Sequence, residues 1–265
     1  MTFEPDADGS VPGDWHEALA FAEDLADTAR PIAMRHFRKT LKVDTKTDGS
    51  PVTVADRAIE RTLRTMIGAR YPQAGIYGEE FGAEMRASTW ILDPIDGTKS
   101  FVTGLPLFGT LIALVEDGRP VFGVIDMPAL GERWTGTSEG AHFNGTPVWT
   151  SGCRSIDGAR LYTTSPDSFS AEGLVAFERL GRTAAMRRFG GDCYAYGLLA
   201  SGYCDLVVEE GLLPYDFMAL VCIIEGAGGV ISDWSGQPLG FNSDGRVVAA
   251  ATRELHAAAL RALSL

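Results

Sequence analysis

The segment WILDPIDGTKSF, residues 90–101, constrains the possible folds more than any other stretch of the chain. Its apolar beginning predicts a buried strand that ends at Asp93, after which a proline and Gly97 bring the chain through a tight turn. A short helix is predicted to begin at Thr98. The carboxylates of Asp93 and Asp96 can then converge on one side. Beside them, the amides of Gly97 and Thr98 point out of a helix N-terminus, where a phosphate can be held.

Two aspartates so close together repel each other unless a cation lies between them. Mg²⁺ prefers oxygen ligands, keeps several waters and often shares ligation with a substrate phosphate, so acidic residues elsewhere should complete its site. The candidates are Glu79 and Glu80, in a turn after a short apolar strand, and Asp56 and Asp216, each at the start of a predicted helix. Taken alone, an aspartate at a helix start is more typical of a cap, and paired glutamates after a strand are more typical of a solvated loop.

The composition is that of an ordinary globular chain, with 265 residues of which 45% are hydrophobic and 22% are charged. A net charge of −12 argues against nucleic acid or an anionic membrane as a partner, because both repel an acidic surface. No apolar run reaches the length of a membrane span, and residues 1–13 lack the features of a signal peptide, so a cytoplasmic protein is expected. The cysteines show no CxxC pair and are expected to be reduced and buried.

Apolar periodicity predicts a first helix that begins near Asp14 and a second that begins at Thr53, with Asp56 in its first turn. In the middle of the chain, residues 108–116 and 120–127 predict two strands joined by an Asp-Gly hairpin turn, and Asn144-Gly145 predicts another turn of this kind. These strands are apolar enough to supply an interface between subunits.

After residue 158, runs of strand length alternate with runs of helical periodicity. The predicted fold class is therefore α/β, in α+β layers of helix and sheet, with a seam at residues 150–158. Residues 1–150 would form an N-terminal half that carries most of the acidic candidates, and residues 151–265 a C-terminal half that carries Asp216. Packed tightly, the two halves could count as one domain.

Phosphatases that use an aspartate nucleophile provide an alternative interpretation of the aspartate motif. Their signature has two aspartates two positions apart before Gly-Thr, and here Pro94 stands where the first would be. No histidine lies close to the motif in sequence either. Aspartyl-phosphate and phosphohistidine intermediates are therefore disfavoured, and direct attack on phosphorus by a metal-activated water remains.

Four segments, in order, resemble the inositol monophosphatase family of magnesium-dependent, lithium-sensitive phosphatases. They are GSPVTVAD at 49–56, GEE at 78–80, WILDPIDGT at 90–98 and YDFMALVCIIEGAGGVISDWSG at 215–236. The resemblance covers nearly the whole chain and implies an alternating αβαβα sandwich. It also implies a phosphomonoesterase with two to three Mg²⁺ ions per active site, and commonly a homodimer.

The resemblance further implies roles for individual residues. The implied metal ligands are Glu79, Asp93, the Ile95 carbonyl, Asp96 and Asp216. Asp93 would bridge two ions. Asp56, Thr98 and Glu79 would be catalytic, the first two by orienting the attacking water and Glu79 through contact with a third ion. The amides of Gly97 and Thr98 would hold the phosphate.

Within that family, residues 93–114 and 190–220 most resemble the histidinol-phosphate phosphatases. The implied reaction converts L-histidinol phosphate to L-histidinol and phosphate, as in histidine biosynthesis. This substrate carries an amine and an imidazole, which carboxylates can bind. Asp192, at a predicted helix start, and Glu209, at a predicted strand end, are the candidate substrate-binding residues. The competing interpretations are a helix cap and a surface charge.

Inositol 1-phosphate and 3′-phosphoadenosine 5′-phosphate are the alternative substrates. Lys99 and Tyr215 depart from the residues usual in inositol-hydrolysing members, and no basic cluster near the motifs favours an adenine nucleotide. A non-catalytic phosphate-binding protein on the same fold is an alternative of another class, although every matched ligand position is occupied.

Overall fold

The computed structural model describes residues 15–40, 43–45 and 51–264. The helices in this part of the chain are α1 (Trp15–His36), α2 (Val54–Arg70), α3 (Thr98–Thr103), α4 (Ala171–Thr183), α5 (Cys193–Ala200), α6 (Pro214–Gly226) and α7 (Arg253–Leu263). The strands are β1 (Val43–Thr45), β2 (Pro51–Thr53), β3 (Gly75–Gly78), β4 (Gly82–Glu84), β5 (Ser88–Asp96), β6 (Gly109–Glu116), β7 (Arg119–Met127), β8 (Glu132–Thr137), β9 (Gly140–Phe143), β10 (Thr146–Val148), β11 (Arg160–Thr163), β12 (Met186–Phe189), β13 (Leu206–Glu209), β14 (Val230–Ser232) and β15 (Val247–Ala250). The predicted helix start at Asp14 lies outside the described residues.

Two large sheets alternate with three layers of helices. The eight-stranded sheet has the order β10-β9-β8-β7-β6-β5-β3-β4, and the five-stranded sheet has the order β12-β11-β13-β15-β14. Helices α1 and α2 cover the outer face of the first sheet, and α5 and α6 lie between the sheets. Helices α4 and α7 cover the outer face of the second sheet. The predicted αβαβα sandwich is confirmed.

The alternation of side chains along each strand builds a separate core on each face of a sheet. In β5, Trp90 packs into the core under α1 and α2, while its neighbour Ile91 packs into the core between the sheets. In β13, Leu206 packs under α4 and α7, while Val207 faces the core between the sheets. Strands covered on both faces need continuous apolar sequence, which explains the unbroken apolar runs in the middle of the chain.

The suggestion that residues 108–116 and 120–127 supply a subunit interface is wrong. These residues form β6 and β7, and α1 packs on one face of both strands while α6 packs on the other. Their apolar side chains are used inside the subunit.

The hairpin predictions are confirmed. Asp117 and Gly118 join β6 to β7 with φ values of 48° and 79°, the positive pair that a type I′ turn requires. Asn144 and Gly145 join β9 to β10 with φ values of 46° and 75°. Short polar residues and glycine tolerate this conformation, so the turns are encoded locally.

The predicted strand end at Asp93 is wrong, because β5 continues to Asp96. Its register with β6 shifts between these two residues. Pro94 has no amide to donate to the ladder, and its carbonyl accepts a 2.8 Å hydrogen bond from the Thr110 hydroxyl. Residues three apart point to opposite faces of a regular strand, so this irregularity is what allows the two carboxylates to meet. The turn at Gly97 and the helix from Thr98 follow as predicted.

The first sheet is built from residues 75–148 and the second from residues 160–250. Helices α5 and α6, which follow the predicted seam in sequence, nevertheless pack against the first sheet. The division into halves at residue 150 stays a prediction.

Two further sequence expectations concern cysteines and membranes. The cysteines are free, and Cys193, Cys204 and Cys222 are buried as predicted, whereas Cys153 is partly exposed. Among the described residues, no helix combines the length and apolar character that crossing a membrane requires.

Candidate active site

Three aspartates form the centre of the site. Asp93, Asp96 and Asp216 each bring one carboxylate oxygen to within 4.8 Å of the others. The first two flank the irregularity in β5, and Asp216 lies in the first turn of α6. Residues 123 positions apart in sequence are thus brought together at one end of the layer between the sheets.

The position of Asp216 depends on how closely α6 lies against the first sheet. A Cβ atom on Gly123 would stand 1.9 Å from the backbone of α6, and one on Gly136 would stand 2.3 Å from it. Any side chain at these positions would push the helix away. The Leu213 amide donates a 2.7 Å hydrogen bond to the Asp216 carboxylate, which orients this side chain at the helix start.

Asp93 is the most strongly perturbed carboxyl group of the cluster. It is only 2% exposed, and burial raises its pKa well above the ordinary value. The charges of Glu79, Asp96 and Asp216 raise the pKa further, and so does a side-chain hydrogen bond with Glu79. Glu79, in the turn after β3, therefore belongs to the same group of carboxylates.

Asp96 shares this environment. Burial raises its pKa to about 7, and the charge of Asp192 adds to the effect. The Cys193 amide donates a 2.6 Å hydrogen bond to the Asp96 carboxylate, which partly offsets the rise. The atoms of the cluster that could bind a metal are all carboxylate oxygens, which are the ligands that hard cations such as Mg²⁺ prefer.

Asp56 closes a capping box with Thr53 at the start of α2, as the sequence predicts. Its Oδ2 accepts hydrogen bonds from the Thr53 amide at 2.9 Å and hydroxyl at 2.6 Å. Its Oδ1 is buried and has no hydrogen-bond partner among the described residues. Burial raises the pKa of Asp56, the Thr53 bonds lower it, and the nearby charge of Glu79 raises it again. One carboxylate oxygen is thus left to accept a hydrogen bond from a water or a ligand.

The residues around the turn into α3 also lie where the sequence places them. Gly97 adopts a φ of 80° immediately before α3. The Thr98 hydroxyl donates a 3.0 Å hydrogen bond to the Ile95 carbonyl, so that the predicted catalytic hydroxyl adjoins the predicted backbone ligand. The phosphate role of the Gly97 and Thr98 amides stays a prediction.

Glu60, which was not predicted, holds the loop that carries Glu79. Its fully buried carboxylate accepts hydrogen bonds from the Glu80 amide at 2.7 Å and the Phe81 amide at 3.2 Å. Arg64 donates to the same carboxylate at 2.7 Å and balances its charge. Glu60 therefore positions the loop that carries Glu79.

Asp192 lies immediately before α5 but makes no capping hydrogen bond with its side chain, so the helix-cap interpretation is wrong. It adopts a φ of 46° and instead accepts a 3.3 Å hydrogen bond from the Ser100 hydroxyl. A Cβ atom on Gly97 would lie 3.0 Å from its Oδ2, which places this carboxylate beside the turn into α3. Burial raises the pKa of Asp192 to about 6, while Ser100 and the charge of Lys99 lower it.

Glu209 is only 1% exposed, so the surface-charge interpretation is wrong. Its Oε1 accepts hydrogen bonds from the Thr164 amide at 2.8 Å and hydroxyl at 2.9 Å, and its Oε2 accepts one from the Thr163 hydroxyl at 2.9 Å. Burial raises the pKa of Glu209 to about 7, although these bonds lower it. The threonines fix the carboxylate at the end of β13.

One cavity of about 100 Å³ connects the aspartate cluster with both predicted substrate-binding residues. Its lining residues are Asp96, Thr164, Ser168, Asp192, Cys193, Tyr196, Glu209, Leu212, Asp216 and Leu220. A molecule held at the cluster therefore has space beside it that is bordered by two further carboxylates.

The same fold is found among known proteins. A model of the inositol monophosphatase family matches residues 14–264. The chain belongs to the inositol monophosphatase family. Members of this family are metal-dependent phosphomonoesterases, and this protein is accordingly a phosphoric monoester hydrolase.

Relatives within the inositol monophosphatase family carry different names. The chain is 45% identical to the bifunctional phosphatase IMPL2, chloroplastic, of Arabidopsis thaliana, over 90% of this chain and 72% of that protein. It is 37% identical to a histidinol-phosphatase of Chlorobaculum parvum, over 87% of this chain and 91% of that protein. The solved structure of an inositol monophosphatase from Zymomonas mobilis is 47% identical, with a TM-score of 0.89 over 96% of this chain and all of that one.

Several residues of this candidate site were not predicted from the sequence. Glu60 lies four positions after Asp56 on α2, so a shared helix face could have indicated it. Thr163 ends β11, which runs parallel to β13, and the ends of parallel neighbours meet at one edge. Tyr196 carries no such signal, because α5 is apolar nearly all round and its sequence does not show which side faces a cavity.

Proposed function

We propose that this phosphomonoesterase hydrolyses L-histidinol phosphate to L-histidinol and phosphate with Mg²⁺ as its cofactor. The observation that carries the proposal is the cavity that Asp192 and Glu209 share with Asp96 and Asp216. A phosphate ester bound with its phosphorus at the aspartate cluster would place its alcohol part in this cavity. Two carboxylates suit a leaving group with an amine and an imidazole better than the uncharged hydroxyls of inositol.

The donor set fits Mg²⁺. Asp93, Asp96 and Asp216 offer carboxylate oxygens only, and their repulsion is relieved by a divalent cation. With Glu79 and the Ile95 carbonyl, they would hold the two to three ions that the family resemblance implies. When bound, Mg²⁺ lowers the pKa of a coordinated water and neutralises charge on the leaving oxygen.

The chain's own residues would orient the attacking water and the phosphate. Because Thr53 occupies one oxygen of Asp56, the other is available to accept a hydrogen bond from the water. The Thr98 hydroxyl lies at the Ile95 carbonyl and would contact the same water. The amides of Gly97 and Thr98, at the start of α3, would donate to phosphate oxygens.

The named relatives support the substrate in part. The relative from Chlorobaculum parvum is named a histidinol-phosphatase, which agrees with the proposal. The solved relative from Zymomonas mobilis is described as an inositol monophosphatase, which makes inositol 1-phosphate the second candidate.

The deciding experiment measures phosphate release from histidinol phosphate, inositol 1-phosphate and 3′-phosphoadenosine 5′-phosphate, with Mg²⁺ and with excess chelator. We expect a preference for histidinol phosphate of about a hundredfold in kcat/KM, which corresponds to about 2.7 kcal/mol of transition-state discrimination. Comparable rates on all three esters would agree with phosphomonoesterase activity but would contradict histidinol phosphate as the preferred substrate. Ligand binding without Mg²⁺-dependent turnover would indicate a non-catalytic phosphate-binding protein.

The variants Asp192→Asn and Glu209→Gln test the two carboxylates separately. Each should raise KM for histidinol phosphate about tenfold or more, because a charged partner is lost, and should leave KM for glycerol 2-phosphate nearly unchanged. An equal rise for both esters would show that the residues shape the site without recognising charge.

A homodimer belongs to the same proposal. Exposed aromatic side chains support an interface, since Trp149 is 70% exposed and Tyr203 is 67% exposed, and the Trp149 backbone lies beside Gly202. Analytical ultracentrifugation of the wild type should give twice the chain mass, and replacing both aromatic residues with serine should shift it towards the single-chain mass.

A further inference from the structure

Tyr196 carries a buried hydroxyl group that the fold does not use. The residue lies on α5 and is only 2% exposed. Its hydroxyl oxygen has no hydrogen-bond partner among the described residues. Buried tyrosine hydroxyls usually have a partner, because leaving one unpaired costs about 1–3 kcal/mol. An unpaired hydroxyl in an otherwise well-bonded site therefore indicates a ligand that supplies the missing bond.

The charges of three carboxylates that line the active-site cavity act on this hydroxyl, which places it near the cavity wall. Tyr196 lines the cavity together with Asp96, Glu209 and Asp216. Burial, followed by the charges of these three carboxylates, raises the pKa of Tyr196 well above its ordinary value. The phenol therefore keeps its proton and can donate a hydrogen bond.

The cavity that Tyr196 lines has room for part of an organic group. Its volume of about 100 Å³ is several times the roughly 10–15 Å³ that a single water requires.

The carboxylates of the cavity can bind an ammonium group but offer nothing to a hydrogen-bond acceptor. A neutral imidazole presents one donor nitrogen and one acceptor nitrogen. The acceptor nitrogen needs an O–H or N–H group, and the protonated Tyr196 phenol supplies one between Glu209 and the aspartate cluster.

We propose that Tyr196 is a specificity-determining residue whose hydroxyl donates a hydrogen bond to the acceptor nitrogen of a heteroaromatic leaving group. The inference rests on the proposed function, and it assigns different groups of that substrate to different residues. Asp192 and Glu209 bind the ammonium and the donor nitrogen, and Tyr196 binds the acceptor nitrogen. A leaving group with an amine but no ring would not use Tyr196.

The test compares Tyr196→Phe with the wild type on histidinol phosphate and on phosphoethanolamine, which has an amine and no ring. We expect kcat/KM for histidinol phosphate to fall about tenfold or more, and kcat/KM for phosphoethanolamine to change less than about twofold. The melting temperature of the metal-free variant should not fall, since no bond within the protein is removed.

Tyr194→Phe is the matched control on the same helix. Its hydroxyl bonds to Glu132 and its residue does not line the cavity, so this variant should lose stability without a change in either kcat/KM. Equal losses on both esters, no loss on either, or a fall in melting temperature like that of the control would overturn the role of Tyr196. A wild type without preference for histidinol phosphate would instead overturn the proposed function, and with it this inference.

Discussion

Glu209, for which we propose a substrate-binding role, shows how a buried carboxylate can lower the stability of the protein that holds it. Its pKa of about 7 in the folded chain lies above the ordinary value of 4.5, because burial disfavours the charge more than three hydrogen bonds favour it. Between these values the folded state binds a proton that the unfolded state does not. The contribution of this group to stability therefore falls as pH rises from about 4.5 to 7.

Glu209→Gln should remove this pH dependence. We expect the metal-free variant to be more stable than the wild type at pH 8, by up to about 3 kcal/mol. The advantage should shrink towards pH 5, where the wild-type carboxyl group is protonated in the folded state. Urea unfolding across this pH range, with chelator present, measures the difference.

Glu172→Gln, at an exposed position in the first turn of α4, is the matched control and should show no such trend. A constant difference between Glu209→Gln and the wild type at every pH would show that Glu209 keeps an ordinary pKa in the folded protein.

At the same scale, the sequence identified those site residues whose role follows from their neighbours in the chain. The paired aspartates, the permissive Gly97 and the capping box of Asp56 are all properties of a few consecutive residues. The burial of Glu209 and the cavity position of Tyr196 depend on segments far away in sequence. A local sequence pattern does not show such packing, so a surface charge was the competing interpretation of Glu209.

At the level of elements, α6 is the part of the fold on which the site most depends. It carries Asp216 and rests directly on Gly123 and Gly136 of the first sheet. Gly136→Ala would place a methyl group 2.3 Å from the α6 backbone, and a backbone cannot rotate away as a side chain can. We expect a loss of about 3 kcal/mol or more in the free energy of unfolding, together with a fall in kcat of the protein that remains folded.

Gly68→Ala gives the opposite expectation. Gly68 lies in α2 and is exposed, and a methyl group added to its Cα would meet no atom within 4 Å. Alanine there should raise stability by about 0.5–1 kcal/mol through the lower entropy of the unfolded chain, with kcat unchanged. Thermal unfolding and steady-state rates of Gly136→Ala and Gly68→Ala test these expectations. Similar stabilities of the two variants would contradict the close packing of α6 on the first sheet.

Elements with local signals were predicted well, and those that depend on a partner strand were not. The Asp117-Gly118 and Asn144-Gly145 turns were recognised because their φ values follow from residue type. The continuation of β5 through Asp96 was missed, because the shift in register exists only in its pairing with β6. The three-residue strand β4 is too short to show periodicity and was missed for that reason.

For the whole molecule, the core between the sheets should make unfolding cooperative. Ile91 and Leu111 from the first sheet pack in the same core as Val207 and Ala249 from the second. Neither half can bury these side chains alone. We expect a single calorimetric transition whose van't Hoff and calorimetric enthalpies agree. Two resolved transitions would support independent halves divided at residue 150.

Metal binding should stabilise the whole chain as well as activate it. The net charge of −12 means that any salt screens self-repulsion, so the effect of Mg²⁺ has to be separated from ionic strength. At constant ionic strength, we expect Mg²⁺ to raise the melting temperature as the site fills, with about 2.7 kcal/mol gained at a hundred times Kd. Excess chelator should abolish both this gain and turnover.

Asp93→Asn separates site binding from general screening. Loss of the carboxylate at the centre of the cluster should remove most of the Mg²⁺-dependent stabilisation and lower kcat at saturating Mg²⁺ by about a hundredfold or more. Asp117→Asn removes the same charge at an exposed hairpin turn, where asparagine tolerates the positive φ of 48°, and should leave both responses intact. If Mg²⁺ stabilised all three proteins equally, the cation would act through the acidic surface as a whole, and the aspartate cluster would lose its proposed role as the metal site.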